Sequence, residues 1–112
     1  MEIILTEEVA ELIEDLDSKA QKGNKDARIK KERIEHCFTI LLDHGTWIGE
    51  PTVKHLEDEI WELRPGNYRL LFTIEGDYII LTFFVKKTNK TPRKEIERAK
   101  KEYKKYLDER DK

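Results

Sequence analysis

Residues 68–75, Tyr-Arg-Leu-Leu-Phe-Thr-Ile-Glu, alternate like a strand, with Tyr68, Leu70, Phe72 and Ile74 on one face and Arg69, Leu71 and Thr73 on the other. An arginine inside an apolar strand is costly to bury alone. Arg69 is therefore either paired with a carboxylate such as Glu62 or turned toward a ligand at an open end of the sheet. Arg64 ends the adjacent strand just before a turn. Two guanidiniums converging there would suit bidentate recognition of phosphate. Lys86 and Lys87 end the next strand, where successive side chains point to opposite faces, so at least one should share the surface of Arg69. The plain alternative is that these lysines keep a strand end soluble.

The basic character continues through Lys90, Arg93 and Lys94. On the following helix Lys94, Arg98, Lys101 and Lys105 recur at i, i+4, i+7 and i+11, opposite an apolar stripe. Such a ridge would track a phosphate backbone without reading base sequence. His55, beside Lys54, has an ordinary pKa near 6.5 and could be a general acid or base, or a plain surface residue. His36 and His44 are eight apart, and no His/Cys set has zinc-site spacing, so no metal is expected. Cys37 falls in a helix's apolar stripe and reads as core; Trp47 could stack on a base, and Trp61 should pack in the sheet.

The surrounding chain must position these groups. With 112 residues it is expected to form one domain, residues 1–112. Charged residues make up 41% and apolar ones 38%, but the 22 Lys+Arg nearly cancel the 24 Asp+Glu. The informative feature is segregation: residues 1–18 carry seven acids and no base, whereas residues 86–105 carry ten bases and three acids. A segregated basic segment favours a polyanionic partner more than overall charge does. The apolar run Tyr78–Val85 is far short of the roughly 20 residues a spanning helix needs, so no membrane role is expected. Met1-Glu2-Ile3-Ile4 has no basic n-region, and a single cysteine excludes an internal disulfide, so a cytoplasmic protein is expected.

Periodicity predicts the elements. Glu2–Leu5 reads as a short strand. Thr6 reads as the N-cap of a helix carrying Val9, Leu12, Ile13, Leu16 and Ala20, which ends near Gly23. Asn24 opens a second helix whose stripe is Ile34, Cys37, Phe38, Leu41 and Leu42. Residues 46–56 read as a loop broken by Gly49 and Pro51. Then the period changes to two: 60–64, 68–75 and 78–86 read as strands, joined at Pro65-Gly66-Asn67 and Gly76-Asp77. Thr91-Pro92 reads as an N-cap with proline at the first helical position, before Ile96, Ala99, Tyr103 and Leu107. The expected class is α+β in the order β-α-α-β-β-β-α, a helical hairpin and a C-terminal helix on a mostly antiparallel four-stranded sheet.

Three stretches also carry a resemblance. Val53-Lys54-His55-Leu56, Ile60-Trp61-Glu62-Leu63-Arg64 and Asn67-Tyr68-Arg69-Leu70-Leu71-Phe72 resemble the RelE/ParE superfamily of bacterial toxins. Phe83-Phe84-Val85-Lys86-Lys87-Thr88, with Lys90-Thr91-Pro92 and Glu95-Ile96, resembles its HigB-like branch, also described as phage-derived host-inhibition proteins. The resemblance implies a RelE-like fold and the toxin of a type II toxin–antitoxin system. Its partners would be messenger RNA, the ribosome and a cognate helix-turn-helix antitoxin. The alternative it implies is a non-catalytic ParE-like inhibitor of DNA gyrase or a phage host-inhibition binding protein.

By position, the resemblance implies that Arg69 contacts the scissile phosphate, with Arg64, Lys86 and Lys87 on the same surface. Classical RelE nucleases carry strand lysines where this chain has Ile60 and Glu62, so Lys54, His55 and the 86–87 pair would take over their work. The implied activity is a metal-independent endoribonuclease, an mRNA interferase in which the RNA 2′-hydroxyl attacks the neighbouring phosphorus. Arg69 with Arg64 or a lysine would neutralise the transition-state charge. Neighbouring cations favour the neutral form of a lysine, making Lys86, Lys87 or Lys54 a base and His55 an acid. Lys90, Arg93, Lys94, Arg98, Lys101 and Lys105 would bind RNA. No cofactor is implied.

Overall fold

The computed structural model describes residues 1–111. Strand β1 (Ile3–Leu5) leads into helix α1 (Glu7–Gln21), which pairs with α2 (Lys25–His44) as a hairpin. A short 3-10 turn (Gly45–Ile48) follows. Then come β2 (Val53–Glu57), β3 (Ile60–Leu63), β4 (Tyr68–Glu75), β5 (Asp77–Val85) and helix α3 (Arg93–Arg110). The sheet has five strands in the order β1-β5-β4-β3-β2. β1 runs parallel to β5 and every other pairing is antiparallel. The α+β class and the mostly antiparallel sheet are as expected.

The expected count of four strands is corrected by β2, which lies inside the stretch read as a loop. Its exposed Lys54 and His55 give it no apolar alternation, as befits an edge strand that must stay soluble. Asp58, at φ 47, reverses the chain into β3.

The sheet buries both faces. Leu63, Leu70, Phe72 and Ile80 pack against Val9 and Leu16 of α1 and Ile34, Cys37 and Leu41 of α2. On the other face Ile60, Leu71, Ile79 and Leu81 pack against Ala99 of α3, with Tyr103 and Tyr106 alongside. β5 is therefore apolar on both sides, as its sequence predicts. A bulge opposite Leu71–Phe72 gives β5 one extra residue, so Leu81 and Thr82 both face α3. Leu42 leaves the predicted stripe of α2 and is exposed.

Two caps differ from their sequence reading. Asn24 accepts from the Ala27 amide at 2.9 Å, as its type predicts. Thr6 stands at the N-cap of α1 but donates its hydroxyl to the Leu81 carbonyl at 2.7 Å, joining the helix to β5. Pro92, not Thr91, is the N-cap of α3. Thr91 instead donates its hydroxyl to Glu62, because a buried carboxylate is the stronger acceptor.

Candidate functional site

The α3 face of the sheet carries Lys54, Glu62, Arg64 and Arg69 on three adjacent strands. Cross-strand register sets Lys54 opposite Glu62, Glu62 opposite Leu71, and Arg69 opposite Phe84. Period two keeps Arg64 on the side of Glu62. Glu62 is 1% exposed and organises the group. Arg64 Nε donates to its Oε1 at 2.8 Å, Arg69 Nε lies 4.0 Å from the same oxygen, and Thr91 donates to Oε2. Both guanidiniums thus converge, and the carboxylate pairing anticipated for Arg69 is present together with the convergence.

Neither arginine is used up by this carboxylate. Arg64 also reaches Glu50 through Nη1 at 3.3 Å. Arg69 Nη1 donates to the Gly66 carbonyl at 2.9 Å and the Tyr68 carbonyl at 2.8 Å, which fixes its plane against the turn. Burial pushes the Arg69 guanidinium below its ordinary pKa; the Glu62 charge opposes this and the Arg64 charge adds to it. With side-chain exposures of 12% for Arg69 and 19% for Arg64, the two present a restrained, partly desolvated pair of forks. Glu62 and Glu50 together offset the two guanidinium charges, but Nη2 of each arginine has no hydrogen-bond partner among the described residues, which suits a phosphate diester oxygen.

Beside the pair, a groove of about 840 Å³ runs between β2 and the segment leading into α3, lined by Lys54, Leu56, Lys90, Thr91 and Arg93. Thr91 joins this groove to the arginines through Glu62. Lys86 and Lys87 follow β5 and are exposed; the Lys86 amide donates to the Asn67 carbonyl at 2.7 Å, which holds that strand end against the 65–67 turn. Lys87 and Lys94 border a neighbouring apolar depression with Phe84 and Pro92. None of Lys54, Lys86, Lys87, Lys90 and Lys94 forms an ion pair among the described residues.

Other candidates lie elsewhere. His55 belongs to the opposite face: its ring is 4.7 Å from that of Trp61, and its Nε2 donates to the Asp58 carbonyl at 2.7 Å. The structure does not bring it to Arg69. Arg98 breaks the predicted ridge, since it donates twice to Glu8 at 2.7 Å and once to the Phe83 carbonyl at 2.7 Å, pinning α3 to α1 and β5. Arg93 is engaged by Glu57 and Glu97. Lys101 is exposed, and Lys105 lines a groove with Glu7, Glu8, Glu11 and Glu102, so the far half of α3 is not a continuous cationic surface. Trp61 packs on Phe72 and Cys37 is buried, as their patterns predict. Trp47 is 95% exposed.

The sequence reading missed Thr91, Lys30 and Arg33. Thr91 was assigned to a cap; an S/T beside a basic loop carries no other local signal. Lys30 and Arg33 read as ordinary charges on α2, and only the packing of α2 on the 65–67 turn brings them to this end. No cluster of His, Cys, Asp and Glu among the described residues could hold a metal ion, and no helix among them is long and apolar enough to cross a membrane.

A family model described as phage derived protein Gp49-like (DUF891) matches residues 15–104, most of the chain and every element of the arginine cluster. No curated protein matches the sequence.

Proposed function

Because the chain belongs to the Gp49-like family of phage-derived proteins, a RelE/HigB-type toxin family associated with toxin–antitoxin systems, we propose that it is a type II toxin that cuts messenger RNA on the ribosome. The observation that carries the reading is the convergence of Arg64 and Arg69 on buried Glu62 at the edge of a lysine-lined groove. A HigB-like branch and a helix-turn-helix antitoxin as neutralising partner belong to the same proposal.

The chemistry follows from what a phosphodiester needs. The RNA 2′-hydroxyl oxygen bonds to the adjacent phosphorus while the bond from phosphorus to the 5′-oxygen breaks, leaving a 2′,3′-cyclic phosphate and a 5′-hydroxyl. Charge accumulates on the non-bridging oxygens, where Arg69 and Arg64 stabilise it most strongly because they are restrained and partly desolvated. The 2′-hydroxyl proton goes to a basic side chain at the site, for which Lys54 is the nearest in register. A protonated lysine on the far wall, Lys90, or one of Lys86 and Lys87, returns a proton to the leaving oxygen. His55, facing the helical hairpin, has no part in this scheme.

The test is induced expression in growing bacteria with mapping of transcript ends. The expected result is growth arrest with new cuts inside translated messages, lost in Arg69→Ala. Arrest with intact messages and gyrase-linked DNA breaks would move the protein to the ParE-like class. Full cleavage by Arg69→Ala would refute the assigned site.

A further inference from the structure

A second cationic pocket lies on the opposite face of the sheet, at the same end as the arginine pair. It has a volume of about 170 Å³ between Ile29, Lys30 and Arg33 of α2 and Gly66, Tyr68 and Val85 at the sheet's end. That is small against the roughly 300–1,000 Å³ of sites that enclose whole ligands, and suits a single planar ring. The Lys30 ammonium lies 5.9 Å from the centroid of the Tyr68 ring. Ile29 and Val85 expose apolar surface that the fold leaves uncovered. Arg33 makes no ion pair among the described residues, whereas Lys30 is paired with Asp26 at 2.9 Å.

The turn residue Gly66 connects this pocket to the arginine pair. A Cβ there would come 3.0 Å from Arg33 Nη1, so the guanidinium rests directly on the bare backbone. The carbonyl of the same residue accepts from Arg69 Nη1 at 2.9 Å. Arg33 and Arg69 therefore grip one peptide turn from opposite faces of the sheet. A polyanionic strand held by Arg69 and Arg64 can follow the lysine-lined groove in one direction; in the other it crosses this turn, and on the far side it meets the Arg33 guanidinium beside an aromatic ring.

We propose that this pocket is a binding subsite for one nucleotide of single-stranded RNA, flanking the nucleotide whose phosphate lies on Arg64 and Arg69. The base lies against Tyr68, Ile29 and Val85, and its phosphate is held chiefly by Arg33, with Lys30 second because Asp26 already occupies it. Aromatic faces accept any unpaired base, so the subsite adds affinity and register without sequence preference. The proposal rests on the RNA-cutting function above.

The test is fluorescence anisotropy of a labelled, 2′-O-methylated and so uncleavable single-stranded RNA hexamer, over a salt series, with the full chain. Each phosphate contact on a single strand contributes about 0.7 to the slope of log K against log salt, so Arg33→Gln should lower the slope by about 0.7 and Lys30→Gln/Arg33→Gln by up to about 1.4. Arg33→Lys should keep the slope, because it keeps the charge, and so controls for a folding defect. Weakened binding by Arg69→Ala with the double variant binding as wild type would overturn the subsite and keep the RNA function. Failure of the wild type to bind the hexamer would overturn both. Unchanged RNA binding with lost neutralisation by the antitoxin would assign the pocket to a protein partner instead.

Discussion

Two clusters of acids and bases in this small molecule use the same residue types to opposite ends. Around Glu57, Arg93 and Lys100 are joined by Asp58 and Glu97, so three carboxylates face two cations. The Arg93 side chain is 59% exposed, and the group clamps the start of α3 to the β2–β3 turn. Around Glu62 the setting differs: two guanidiniums meet one carboxylate that is 1% exposed, and Arg64 also pairs with the exposed Glu50 at 3.3 Å. The first cluster is satisfied and solvent-screened, and its strength is modest. The second holds its guanidiniums in a restrained, partly dry setting with the unpaired Lys54 opposite Glu62, where they can act on an anion. Arginine content alone does not distinguish the two; the burial of the guanidiniums and of their shared carboxylate does.

The comparison breaks most visibly at Arg69. Arg69→Ala should reduce RNA cleavage by about 100-fold or more, the usual consequence of losing one preorganised charge donor, whereas Arg93→Ala should stay within a few fold. Cut-site intensities in transcript-end maps at matched protein levels decide this. Next comes Glu62→Ala, which leaves two close guanidiniums without their buried counter-charge. Breaking a buried pair this way costs about 3 kcal/mol or more, read as a lowered urea midpoint. The matching change in the exposed cluster, Glu57→Gln, should lower the midpoint by less, because solvent screens that group.

A smaller effect sharpens the role of the loop. Thr91→Val removes the hydrogen bond from the 88–92 segment to Glu62, and a bond to a charged acceptor is worth about 1.5–3 kcal/mol. Cleavage by this variant should fall about tenfold, with Thr91→Ser restoring it; equal activity of all three would detach the groove from the arginines. His55→Ala should change cleavage by less than about twofold, the scatter expected of surface substitutions, since its ring packs on the opposite face.

The smallest effect concerns pH. Hydrogen bonds from Arg93 and then Lys100 hold the Glu57 carboxyl down to about 2, below its ordinary value near 4.5. A carboxyl lowered by folding stabilises the native state above its unfolded pKa. That contribution is lost as pH falls from about 5 toward 2. Glu57→Gln should flatten this part of the acid-unfolding curve, and added salt should shrink the difference because the cluster is exposed. A wild-type carboxyl titrating near 4.5 by NMR would remove this cluster from the account.

How much was legible in the sequence follows from locality. Alternation in 68–75 put Arg69 on the face of Leu71, and that is where it lies; the apolar run 78–85 announced a strand covered on both sides, and β5 is one. Asn24 capped a helix because its type and position suffice. Edge strand β2 was not legible, since an edge exposes one side and keeps the polar residues of a loop. Arg98 was placed on an outer ridge by helical spacing, yet Glu8, ninety residues earlier in the chain, turns it inward.

The sequence by itself determined the helices, three long strands, the charge segregation and the strand face of Arg69, because these depend on periods of two and 3.6 among neighbours. Only the tertiary structure decided which charges are neutralised. It settled that Glu62 takes both Arg64 and Arg69, added Thr91 to them, placed His55 on the other face, and brought Arg33 onto Gly66. The reason is physical. Coulomb energy and desolvation depend on distance and burial in space, and residues 62 and 91, or 33 and 66, become neighbours only when the helices dock on the sheet.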